Sequence, residues 1–511
     1  MNDQSLPKAH HVRLGNYRSS ATTKAAYMLL TALLIGAFLV SANLNNASQA
    51  YRGISYDPGL RHYADYDQYA RLADSLLKGD LTLDLPVPDS LSNLDDPYEF
   101  AERDAIQQDG AIPIFWDHAF YKGSYYCYFG VVPAVLIYLP YQAITGSWLS
   151  TPIAVSFLGS VLLACSSYLI WQIARRFFPS TGLGSLVYAG LLFFAGSNVV
   201  YLGFVPTFYS IPILFSLCAT MLGLGLWIAS QKKPGNISAA KLFLGSCCMA
   251  LNFGSRPQFM LACFLAFPLF WKAITVDRIL FSRKSIPVTI AALIPFAIIL
   301  PPLLWYNYLR FGSVFNFGSA YNLTGFNMTT YHQPWMLTPL LIYYFLFQPI
   351  NPSAEFPFIE TTSLSYPDDT WAPFEPMFGG FFWLVPSTLL IFLVPLVYRS
   401  LKRKRALSLC VLMFASALFV LIADARTAGI TQRYFSDFGW YFVLISVFVF
   451  FTLREKYPAG TKGHKTISIF MAVSLAASFV VGLCSLFSPE RYAAITSFNP
   501  ALFDAISSLF Q

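Results

Sequence analysis

Charge is what this sequence most lacks. Only 12% of its 511 residues are Asp, Glu, Lys or Arg, about half the share of a soluble globular chain. Over this length that scarcity excludes a soluble domain and leaves a chain whose solvent is largely a bilayer. The formal net charge of +7 is therefore no sign of a nucleic-acid partner and is read loop by loop, as topology. Cysteine excludes as much. There are eight, with no CxxC pair and no Cys/His spacing for zinc, and all but Cys127 lie in or beside apolar runs. Neither a disulfide framework nor a zinc site is expected. No internal repeat or low-complexity segment is visible. The first apolar run, Ala25 to Val40, lacks a small-residue cleavage pattern and reads as a retained signal-anchor.

What is abundant is apolar length. Hydrophobic residues make up 56% of the chain and aromatic residues 17%, and the mean hydropathy is +0.53. Runs near 25–43, 151–174, 181–199, 207–230, 239–254, 258–274, 286–308, 378–398, 407–423, 437–453 and 466–487 predict an all-α polytopic membrane protein with about eleven spans. Two shorter runs, Val131–Ile144 with Pro133 and Pro140, and Leu337–Ile350 with Pro349, read as interfacial or re-entrant helices. With the N-terminus in the cytoplasm and the sides alternating, the cytoplasmic segments hold 22 of the 33 basic residues and three acids, leaving 23 acids outside. That separation follows the positive-inside rule, and it puts the C-terminus outside. The expected organisation is a cytoplasmic N-terminus over 1–24 and a first span over 25–43. An extracytoplasmic loop follows over 44–150. A transmembrane bundle over 151–487 carries a second outer loop near 310–378, and an outer tail occupies 488–511, where Ala501–Phe510 suits a small amphipathic helix. Tripeptides at Asn46, Asn322 and Asn327 fit the glycosylation pattern, a frequent chance match.

The first outer loop concentrates acidity: Asp57 to Asp117 holds twelve Asp and two Glu. In YADYDQYARLADSLLKG (Tyr63–Gly79), Tyr69, Leu72, Ala73, Leu76 and Leu77 fall at helical spacing. The spacing predicts a surface helix with Asp65 and Asp67 in its first turn, where carboxylates suit the helix dipole whether or not they react. On a helix, residues two apart point about 200° from one another, so only one of the pair would face a cleft. Asp67 is favoured, with Gln68 beside it. The stretch FWDHAFYKGSYYCYFGVVP (Phe115–Pro133) packs Trp116, Tyr126 and further aromatics around Asp117, His118 and Lys122. An interface belt explains the tyrosines. Sugar-binding faces with hydroxyl tips explain them too, and Asp117-His118 fits that second account better. Three arginines fall on the same outer side: Arg256 between two apolar runs, Arg310 at the end of a span, and Arg433 at the start of another with Asp437 one turn on. Charges at such depth mark functional sites by default. The competing accounts are snorkelling for Arg256 and Arg310, and an i,i+4 ion pair for Arg433. Clustered outer-leaflet cations beside an acidic loop suggest a bound phosphate whose partner reacts at a carboxylate.

The architecture and motifs resemble the GT-C class of membrane glycosyltransferases, which includes protein O-mannosyltransferases and the lipid A aminoarabinose transferase. In that class the first outer loop has an Asp-Glu pair, then Tyr, then a helix ending in Leu-Leu and Gly. Asp65-Tyr66 or Asp67-Gln68 takes the place of the pair here, and neither is a true Asp-Glu. WDHAFYKGSYYCYFGVVPAVLIYLP is similar to the segment that forms a juxtamembrane helix after the loop. RFGSVFNFGSAYNLTG and TQRYFSDF resemble segments of bacterial relatives. The resemblance implies an enzyme of a bacterial inner or plasma membrane, working on the extracytoplasmic face in cell-envelope glycan biosynthesis. The donor would be a sugar on a polyprenyl phosphate, and the acceptor a glycan, lipid or protein. Asp67 or Asp65 would serve as base, Arg256, Arg310 and Arg433 would hold the phosphate, and Asp117, His118, Lys122, Tyr69, Trp116 and Tyr126 would hold substrate. Some members place a divalent metal between carboxylate and phosphate; this sequence requires none. The competing class is a transporter or a flippase-type or polymerase-type protein. It would show paired interrupted spans in two halves, which this sequence lacks.

The charge separation makes a direct prediction. A membrane-impermeant label at Ser90 should react from outside and one at Lys404 only from the cytoplasm; labelling of both from one side would overturn the span count.

Overall fold

The computed structural model describes residues 21–45, 51–59, 61–107, 110–231, 235–331, 333–367, 372–491 and 494–511. The N-terminal basic residues Lys8, Arg13 and Arg18, the loop lysines Lys232 and Lys233, and the Asn46 tripeptide lie outside them. The chain is mostly helical. Eight helices among the described residues are long and apolar enough to cross a membrane: Ala21–Asn43, Thr151–Phe177, Ser210–Ser230, Pro257–Thr275, Ile286–Phe311, Leu407–Thr427, Gln432–Lys456 and Lys462–Phe487.

The other three expected spans are shorter or broken. Leu183–Gly196 stops before Asn198, whose φ of 58° leaves the helical region, and the chain resumes as Val199–Phe204. Ala239–Leu251 runs into a 3₁₀ turn, Asn252–Gly254, ahead of Pro257. The run near 378–398 becomes Phe381–Leu384, a 3₁₀ segment Pro386–Leu393 and Val394–Arg403. Pro386 and Pro395 remove the N–H groups that a continuous ladder would need there. The short runs form Ala134–Thr145 and Trp335–Leu346, and the tail forms Pro500–Ser507.

Burial sorts the helices. Every residue from Phe435 to Leu453 is buried, so this helix is the axis of the bundle. Ile286–Phe311 fully buries only Ala291, Pro295, Asn307, Arg310 and Phe311 and leaves one apolar face, with Ile290, Leu293, Ile294, Ile298 and Trp305, exposed, as a lipid-facing helix does.

The two long loops, 44–150 and 310–378, are not purely helical. Ile54–Asp57 pairs antiparallel with His62–Asp65, and Ala119–Tyr121 with Ser124–Tyr126. A third two-stranded pair, Asn351–Pro352 with Ile359–Glu360, lies in the second loop. The helix expected from Tyr63 begins only at Gln68. Asp65 closes a strand, and Asp67 stands just ahead of the helix with no side-chain cap bond. Two interactions override the helical spacing. The Tyr63 N–H donates to Ile114 O at 2.8 Å and the Trp116 N–H to Tyr63 O at 2.8 Å, which holds the segment extended. Asp65 Oδ1 then accepts the Asp67 N–H at 3.1 Å, a side-chain turn that competes with helix. Asn322 and Asn327 are buried and bonded to Asp117 and Asp96.

The loops meet the spans at one close approach. A Cβ on Gly130 would overlap the carbonyl oxygens of Gly254 and Ser255. Gly130→Ala is therefore expected to cost about 1–3 kcal/mol through overpacking. Thermal unfolding in detergent should register it as a clear fall in Tm, and an unchanged Tm would refute the approach.

Candidate functional site

Asp117 sits where the two long loops join. Its N–H donates to Leu323 O at 2.8 Å, and the Leu323 N–H donates to His118 O at 3.0 Å. The backbone at Asp117 has φ 53°, which turns the side chain out of the strand line and inward. There the carboxylate accepts Asn322 Nδ2 at Oδ1 (2.7 Å) and the Tyr209 hydroxyl at Oδ2. The second loop supplies one partner and the approach to helix Ser210–Ser230 the other. Both oxygens are satisfied, yet the residue still lines a cavity of about 760 Å³.

The same cavity is lined by Arg256, Arg310 and Arg433, which sequence reasoning grouped. Their partners differ. Arg256 Nε meets Asp437 Oδ1 at 2.8 Å, with Nη2 on Oδ2, a two-pronged buried pair. Arg433 Nη1 meets Glu375 Oε1 at 2.8 Å and lies 3.9 Å from the Tyr209 ring centre. Arg433 thus pairs with Glu375 and not with Asp437, its expected i,i+4 partner, and Arg256 is a paired charge instead of a snorkelling one. Arg310 has no carboxylate partner among the described residues. It donates to Cys127 O at 2.8 Å and Asn307 Oδ1 at 2.9 Å, and packs 4.0 and 4.6 Å from the Tyr306 and Phe311 ring centres. Its Nε is without a partner. Of the three cations, Arg310 alone lacks a carboxylate partner among the described residues. Flat faces complete the lining: Trp116, Tyr128, Phe129 and Tyr209. Burial pushes the Tyr128 phenol up to about 12, so it remains a neutral donor.

The other residues singled out lie outside this lining. Asp65 is buried behind it, 2.9 Å from Arg71 Nε and 3.8 Å from His118 Nε2. Burial alone would raise its pKa; the His118 and Arg71 contacts outweigh burial and hold it below the usual carboxylate range. Asp67 accepts the Gly53 N–H at 2.7 Å, and burial lifts it above that range. His118 is enclosed by Gln68 Nε2 at 3.0 Å and Trp116 O at 2.9 Å. Tyr69 stacks on Tyr138 at 5.6 Å, Tyr126 packs on Phe311 at 5.4 Å, and Lys122 is exposed in a hairpin turn. Gln68 links the two groups, donating to Asp117 O at 3.3 Å.

Sequence reasoning missed Tyr209, Asn322, Glu375 and Asp424. Asp424 had a usable signal: it is an acid closing the apolar run of Leu407–Thr427. The other three are unremarkable in sequence and gain meaning only from cross-chain pairing. Among the described residues no group of three His, Cys, Asp or Glu side chains is placed to hold a metal ion.

No protein-family model matches the chain, and no curated protein matches it. Among solved structures it is similar to the crystal structure of ArnT from Cupriavidus metallidurans bound to undecaprenyl phosphate, at 11% identity and a TM-score of 0.43, covering 96% of this chain and 78% of that one. The geometry of the cavity stands apart from that likeness.

The two loop acids should separate by pH. Asp65→Asn strands Arg71 and should cost about 3 kcal/mol near neutral pH. A lowered carboxylate pKa contributes stability above its ordinary value of about 4 and loses it as pH falls through the folded value, so the deficit should shrink in acid. Asp67 has the opposite sign, its ionised form being the costly one, so Asp67→Asn should hold or raise Tm at neutral pH. Equal losses in melts across the pH range would sink this distinction.

Proposed function

We propose that this chain is an integral-membrane glycosyltransferase of the GT-C type, moving a sugar from a polyprenyl-phosphate donor to an extracytoplasmic acceptor by a single inverting displacement. The observation that carries the reading is the shared cavity of Asp117 and Arg310, a satisfied carboxylate and a guanidinium with no carboxylate partner among the described residues. Tyr306 stacks on Arg310, and the same cavity is lined by the apolar Val131, Phe253 and Leu303. A prenyl phosphate needs that combination of one cation and one greasy flank.

In this reading the donor phosphate lies against Arg310, with Arg433 and Arg256 contributing a field already offset by Glu375 and Asp437. The sugar rests on Trp116 and Tyr128. The acceptor oxygen attacks the anomeric carbon as the bond to the phosphate oxygen breaks. The electron pair leaves with the phosphate, and the acceptor proton passes to the Asp117 carboxylate. Preformed positive charge at Arg310 stabilises the departing anion without reorganisation. The Tyr209 and Asn322 bonds fix which lone pairs of Asp117 remain free. Asp65 and Asp67, expected from the resemblance to act as base, become positioning residues. Asp65 braces His118, which Gln68 joins to the backbone of Asp117, and Asp67 ties the start of the helix that begins at Gln68 to Gly53. The full proposal keeps eleven crossings, a cytoplasmic N-terminus, an outer C-terminus and a bacterial plasma membrane.

The test uses the full chain in membranes with a panel of polyprenyl-phosphate sugars. Asp117→Asn should lower turnover by about 10²–10⁴ while donor binding survives. Arg310→Ala should weaken donor binding, with partial rescue by Arg310→Lys, since a point charge replaces a fork. Arg256→Ala should mainly lower stability, because it leaves Asp437 buried and unpaired. A near-normal Asp117→Asn beside an inactive Asp67→Asn would move the base from Asp117 to Asp67.

A further inference from the structure

A second cavity of about 450 Å³ lies between Pro257–Thr275 and Leu407–Thr427. Its walls are Met260, Leu261, Cys263, Phe264, Phe419 and Val420. Both helices are long and apolar enough to cross a membrane, and Phe264 and Phe419 are more than half exposed, at 51% and 62%. Polarity enters at one end only, at Gln258 and Asp424, which also line the central cavity. The groove therefore runs from a lipid-facing surface to the site.

Asp424 is poorly served where it stands. It is 6% exposed. It lies in the last turn of its helix, where the dipole disfavours negative charge. Asp437 adds a like charge nearby and Arg256 an opposite one, but Arg256 spends Nε and Nη2 on Asp437. Asp424 Oδ1 accepts one long bond, 3.3 Å from Gln258 Nε2, and Oδ2 has no partner among the described residues. A buried carboxylate so placed is costly unless something else donates to it.

We propose that this groove binds a membrane lipid whose head group donates hydrogen bonds and carries no phosphate, with its chain between the two helices and its hydroxyl on Asp424. A phosphate head group would set one anion against another, with Gln258 as the available donor. The cation suited to a phosphate, Arg310, stands among Leu303, Tyr306 and Asn307 of a different helix. The two lipid-facing flanks of the cavity thus differ in sign. The proposal rests on the transferase reading only in calling this lipid the acceptor, which would be delivered from the bilayer with its hydroxyl at the cavity edge.

The experiment titrates the purified full chain in detergent with monogalactosyldiacylglycerol and with phosphatidic acid of the same acyl chains, counting bound lipid by native mass spectrometry. Wild type should bind the galactolipid at least about tenfold tighter, the scale of one hydrogen bond to a charged group. Asp424→Asn should bring that preference below about threefold. Ala423→Trp, which fills the groove from a half-buried wall position, should abolish galactolipid binding. Equal affinities in wild type, preference for phosphatidic acid, or a preference that Asp424→Asn leaves intact would each overturn the site. No prenyl phosphate enters this assay. Loss of the lipid site with intact Arg310-dependent donor binding would leave the transferase reading standing, and the converse would leave a lipid site without it.

Discussion

The cavity depends on one carboxylate being satisfied from two directions. Asp117 accepts one hydrogen bond from the Asn322 amide in the second loop and another from the Tyr209 hydroxyl at the head of a span. Without them a nearly buried carboxylate would be costly enough to pull the loop back into water. With them, segments 92 and 205 residues away in sequence are fixed to the same atom pair. The backbone bonds between 117–118 and 323 add direction to that anchor. Tyr209 also carries Arg433 on its ring face, so the anchor and the cation wall share one aromatic side chain.

Charge in this cavity is matched before any ligand arrives, except at chosen points. Asp437 and Glu375 each take an arginine. Arg310 and Asp424 are left with unmet capacity, one positive and one negative. Buried pairs contribute little net stability but are expensive to break, which suits them to shaping a wall. Unmatched groups suit them poorly to that purpose and are better placed to meet a ligand.

The apolar runs were legible because bilayer thickness dictates length, and eight of the eleven expected spans are long helices. The three exceptions fail at Asn198, at Asn252–Gly254 and at Pro386 and Pro395, local breaks that hydropathy alone does not register. The arginines were legible because charge at that depth is rare. Asp65 and Asp67 were misplaced onto a helix because the pairing of Tyr63 with 114–116 is nonlocal and Asp65 folds onto its own backbone. Asp117 was noticed in its aromatic setting, but nothing in the sequence ties Tyr209 or Asn322 to it until the chain brings them together.

The helix Phe435–Lys456, buried at every residue from Phe435 to Leu453, has a consequence for biogenesis. A segment with no lipid-facing side gains little by dissolving singly in the bilayer, and this one carries Asp437, whose partner Arg256 was synthesised 181 residues earlier. Until it arrives the bundle lacks its axis, and Arg256 lacks this partner. Closure comes when Lys462–Phe487 follows and packs along the outside. The protein is built around a vacancy that its penultimate long helix fills.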